Sequence, residues 1–159
     1  AVSSGRPFAK RVRSGDDVGG RIAEIRVLCG GAGPYLIDCL AERFEALEKD
    51  LARLPGHEPV RKVLRQTARG LRQIARENRD PAKPHAKLHT TDSSQKTHRP
   101  LVAVAPERQA IAATQALAVL EEAQTLLLRS AENSPARSIV RFQQIAEAID
   151  SSKVLLRSA

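Results

Sequence analysis

The sequence predicts an all-α fold: a four-helix bundle built of two antiparallel helical hairpins, with a short extra N-terminal helix. Three observations lead there. Apolar residues recur at steps of three and four over several long segments, the spacing that lines one face of a helix. The apolar content is Ala, Leu, Ile and Val, with aromatics at only 3%, which suits close helix packing. Pro and Gly fall mainly between those segments, where they stop one helix and start the next.

Taken in order, residues 1–15 carry Arg6, Lys10, Arg11 and Arg13 and no acid, and read as a flexible basic tail. Residues 16–159 form a single helical domain, a length that supports a core without a metal. Asp16 or Asp17 caps a first helix through Cys29, with Val18, Ile22, Ile25 and Cys29 on one face. Gly19 and Gly20 weaken it, and a strand over 21–28 is the alternative. The first hairpin spans 34–79. Pro34 starts its first helix, whose stripe is Leu36, Leu40, Phe44, Leu47, Leu51 and Leu54, and Pro55-Gly56-His57 ends it. Pro59 starts the next, with Val60, Val63, Leu64, Thr67, Leu71 and Ile74 facing inward. So short a connection forces the two helices antiparallel.

The pattern stops over 80–105. Pro81, Pro84 and Pro100 bracket Lys, His, Ser and Thr residues, as expected of a mobile polar linker. The second hairpin spans 106–158. An Ala-rich helix follows Pro106, with Ala110, Ile111, Ala113, Leu117, Leu120, Ala123, Leu127 and Ala131 as its apolar positions. Ser134 is placed to cap the last helix, with Pro135 after it and Ile139, Phe142, Ile145, Ala146, Ile149 and Leu156 facing in. Packing the two hairpins together, with the first short helix over one end, buries their apolar faces most simply; exchange of hairpins between two chains, a homodimer, is the alternative.

The two cysteines, Cys29 and Cys39, flank Gly30-Gly31-Ala32-Gly33-Pro34, a reversal that brings them together as a disulfide. A disulfide points to an oxidising compartment, periplasmic or secreted; two separate thiols would fit a cytoplasmic protein. The start at Ala1-Val2-Ser3 fits signal-peptide cleavage or loss of an initiator Met equally well. Apolar runs reach only five residues, as at 101–105, too short to span a membrane. The excess of arginine over lysine fits a GC-rich bacterial genome.

The most ordered polar feature lies on the third helix. Arg61, Arg65, Arg69, Arg72, Arg76 and Arg79 are spaced by three and four, and at about 100° per residue they fill a stripe roughly 80° wide opposite the apolar face. Residues 59–100 hold eleven basic and three acidic residues, a surplus equal to the net +8 of the chain. Such a face suits an acidic protein partner or, as the alternative, nucleic acid, because the guanidinium fork binds two oxygens at once. The plainer reading pairs it with Asp38, Glu42 and Glu45 of the preceding helix. No aromatic is interleaved for base stacking. His85 and His89 have a metal-capable spacing but no accompanying ligands and read as loop residues. The Gly30–Gly33 turn lacks the Lys-Ser or Lys-Thr of a phosphate loop. The residues imply no catalytic centre, metal or cofactor. The expectation is a non-enzymatic exported helical protein acting through protein contacts, with a cytoplasmic nucleic-acid or anion binder as the alternative.

Overall fold

The computed structural model describes residues 16–158, so the basic tail expected over 1–15 lies outside the described residues. Among these the protein is all-helical: α1 (Asp16–Cys29), α2 (Leu36–Ala52), α3 (Glu58–Glu77), α4 (Gln109–Glu132) and α5 (Ile139–Ser158). Their packing is that of a bundle. Each helix packs on its sequence neighbour, and α1 also packs on α5. One contiguous core runs through all five, with Ile25, Phe44, Leu64, Leu120 and Ile149 from successive helices almost wholly removed from water.

The helix α1 forms over the range its apolar spacing requires, burying Val18, Ile25, Leu28 and Cys29. It does not lie over one end of the bundle. Arg21 pairs with Asp50, Glu24 with Arg43, and Cys29 with Cys39; this descending order sets α1 antiparallel along the flank of α2. The α1–α2 reversal rests on two glycines. A Cβ on Gly30 would lie 2.6 Å from the Arg26 carbonyl oxygen, and Gly33 has φ +56°, a region costly to any residue with a side chain. The reversal sets the Cys29 and Cys39 Cα atoms 5.7 Å apart and their sulfurs 2.07 Å apart, at bonding distance. Closing so short a loop contributes roughly 2–3 kcal/mol in the chain-entropy picture.

Pro34 opens a single 3₁₀ turn (Gly33–Tyr35) that leads into α2. Gly56, with φ +83°, makes the α2–α3 turn. On α3 the predicted stripe is the buried one, and the Thr67 hydroxyl satisfies itself by donating to the Val63 carbonyl. The helix α4 buries the expected Leu120, Ala123 and Leu127, but in its N-terminal half Ile111 is 46% exposed while Ala112 and Ala116 are buried. Further along α4 the helix α3 approaches closely: a Cβ on Gly70 would stand 3.3 Å from the Val119 methyls. Ser134 does not cap the last helix. Its hydroxyl donates to the Ser130 carbonyl and closes α4 instead, and a 3₁₀ turn over Ala136–Ser138 leads into α5.

The largest departure is the segment 80–105, which is a folded arm rather than a loose linker. Two extended stretches run antiparallel, with bridges Arg79–Val104, Ala86–Leu101 and His89–Lys96. Ala86 and Leu101 exchange both backbone hydrogen bonds, at 3.0 and 2.8 Å. The Tyr35 hydroxyl donates to the Pro84 carbonyl. All of 101–105 is buried, so this apolar run is the arm's anchor in the bundle, and its hydrophobic burial offsets the entropy of ordering the polar part.

Candidate anion-binding face

The geometry of the arginine row follows from how α3 lies on α2. The two helices are antiparallel, and α2 offers its carboxylates to one edge of the row. Glu48 accepts from Arg61 at 3.0 Å and from Arg65 at 3.2 Å, and Glu58 at the start of α3 pairs with both. Glu45 accepts from Arg72 at 3.3 Å. Continuing that register by two helical turns leads from Glu45 to Asp38 on α2 and from Arg72 to Arg79 on α3. Asp38 is already taken.

Its owner is Arg99 of the arm, a residue to which the sequence pointed only as part of a basic linker. The Arg99 guanidinium holds Asp38 through both ends of its fork, at 2.9 Å each, and reaches Glu45 at 3.0 Å. Asp38 also accepts the Val102 N–H at 2.8 Å, and its side chain is fully buried. Burial alone would disfavour the Arg99 charge, but the hydrogen bonds and negative charges of Asp38 and Glu45 outweigh it and hold its pKa above the ordinary value. Glu42 does not face α3 either. It accepts the His98 N–H at 2.9 Å and a bidentate pair from Arg43, its own neighbour in sequence. Adjacent residues on a helix do not normally face each other; here Arg43 is drawn inward because Glu24 of α1 (2.6 Å) and the Lys96 carbonyl sit at the same point. The acidic stripe of α2 therefore divides. Asp38 and Glu42 fasten the arm, Glu48 serves α3, and Glu45 is shared by Arg72 and Arg99.

The predicted row accordingly divides too. Arg61, Arg65 and Arg72, on the edge toward α2, are half-buried and paired. Arg69 and Arg76, on the outer edge, and Arg79, just past the end of α3, are exposed and have no ion pair among the described residues. Lys62 is likewise exposed and unpaired. At about 100° per residue, the paired arginines occupy the first ~40° of the stripe, and Arg76, Arg69 and Lys62 follow at about 60°, 80° and 100°. What remains is an outward cationic edge about 21 Å long from Lys62 to Arg76.

Elsewhere the surface offers less chemistry. His85 and His89 are both exposed on the arm. A groove between α3 and α4, of about 350 Å³, is lined by Thr67, Gly70, Ala118, Val119 and Leu126, with Glu122 as its one ionisable side chain. No described helix is long and apolar enough to cross a membrane. No protein-family model matches the chain, and no significant match was found among curated proteins or solved structures.

Proposed function

We propose that this is an exported, non-enzymatic helical protein that binds an acidic partner protein through the outer edge of α3. The observation that carries the reading is the division of the arginine row: α2 neutralises Arg61, Arg65 and Arg72, whereas Arg69, Arg76 and Lys62 face solvent without a counter-charge. Arg99 adds to that division by occupying Asp38, a carboxylate of the same α2 stripe. The joined cysteines support an oxidising compartment. A protein partner is favoured over nucleic acid because α3 carries no aromatic side chain for stacking.

The test is a titration of the whole chain with poly-glutamate and, in parallel, with duplex DNA of mixed sequence, each over a series of salt concentrations. The reading predicts saturable binding of poly-glutamate at moderate salt, weakening as salt screens the exposed charges. Tighter binding of the duplex, with the steep salt dependence of phosphate contacts, would assign the face to nucleic acid; no binding of either polymer would leave it a solvated surface.

A further inference from the structure

The outward edge of α3 has a period. Lys62, Gln66, Arg69, Gln73 and Arg76 are all exposed and lie at successive steps of four and three. This is the spacing of a helix-to-helix seam, but written in polar residues. The three cations are each seven residues apart, about 10.5 Å along the axis. They drift by about 20° per repeat, the drift that two helices absorb by winding gently round each other. The long amides of Gln66 and Gln73 fill the intervening positions; that of Gln73 donates to the neighbouring Glu77 at 2.9 Å, and an amide can hold a further carboxylate or accept from an amide.

We infer that the occupant of this edge is an acidic α-helix lying along α3, presenting carboxylates at seven-residue intervals to Lys62, Arg69 and Arg76. The inference rests on the acidic-partner reading and adds the partner's form. Seven-residue spacing is a natural repeat of one helical face. An extended acidic strand repeats its side chains at about 6.6–7 Å on each face and falls out of step with cations 10.5 Å apart. This chain does not supply the helix itself. Residues 1–15 contain no acid. The acids of α2 are engaged within the molecule. No helix of this chain carries three acids at seven-residue intervals: α1 has two so spaced, Asp17 and Glu24, of which Glu24 is paired with Arg43, and α4 and α5 have none, so a second copy does not match the edge either.

The experiment uses two helix-locked synthetic peptides about as long as α3, of identical composition. One carries three glutamates spaced by seven residues, the other the same three spaced by five, which scatters them round the helix. Affinity for the full chain is measured at low salt, for the native protein and for the R69Q/R76Q double variant. Both substituted residues are exposed and outside the core, so the fold is retained, as circular dichroism will check. The seven-spaced peptide is expected to bind the native protein about tenfold more tightly, the sum of a few exposed ion pairs, and the preference is expected to vanish in the double variant. Equal affinity for the two peptides overturns the helical partner while the acidic-partner reading stands on its poly-glutamate binding. A preference that survives in R69Q/R76Q overturns the assignment to this edge. If neither peptide nor poly-glutamate binds, both readings fall together.

Discussion

Arg99 shows how one residue far along the chain can set the charge of a surface it does not belong to. Its guanidinium satisfies a buried carboxylate on α2, Asp38, and so withholds it from the arginine row of α3. Removing one partner of a buried pair strands the other, at a cost of about 3 kcal/mol. R99A is therefore expected to lower the stability to urea by about that amount. R99K should recover only part of it, because an ammonium cannot make the two parallel bonds. Hydrogen exchange should show the amides of His98 and Val102, which donate to Glu42 and Asp38, losing protection first. At the arm's tip, Asp92 is exposed, yet its carboxyl is held down at about 2 by the Ser94 N–H and by the Thr90 and Ser94 hydroxyls. Since the folded value lies below the ordinary 3.8, this turn is fully supported above pH 4 or so and loosens only as pH falls toward about 2. An NMR titration of Asp92 should find its midpoint near 2, rising in T90A; a midpoint near 4 would show that the turn does not hold it. At this scale the sequence was informative where chemistry is local. Cys29 and Cys39 flank a glycine turn and pair as expected. Arg99 was not legible, because its partners lie 54 and 61 residues away and no spacing rule links them.

Among the elements, the helices were the most legible. Apolar steps of three and four placed α1, α2, α3 and α5 on their buried faces, since a stripe that must leave water admits few rotations about the helix axis. On α4 the pattern finds Leu120, Ala123 and Leu127 but not the buried positions of the N-terminal half, where alanines surround the helix and burial differs little from face to face. The arm was read as a linker because its order comes from isolated backbone bridges and from side chains of α2, neither of which leaves a periodic mark. One signal was present. The apolar run at 101–105 has no place in a solvated linker, and it is the buried end of the arm. The acidic stripe of α2 was correctly seen as a stripe, but Asp38 and Glu42 turn to the arm, and only Glu45 of the three meets the arginine row.

For the molecule as a whole, the net charge of +8 is not spread evenly. Residues 16–58 are acidic in excess, and folding consumes much of that excess inside, in ion pairs that fasten α1, α3 and the arm to α2. On α3 the cations that remain outside are those on the edge away from α2. Composition alone predicted a basic surface; only the packing of α2 divides the arginine row into a spent edge and a free one. A charge-matched comparison separates the two. R61Q/R65Q and R69Q/R76Q remove the same two positive charges from the same helix, one pair from the edge bound to Glu48 and Glu58, the other from the open edge. Titrated with poly-glutamate at equal salt, R69Q/R76Q should bind at least about tenfold more weakly than the native chain, and R61Q/R65Q should stay within about twofold of it. Equal losses in the two variants would mean that net charge alone attracts the ligand and that the free edge of α3 has no special standing.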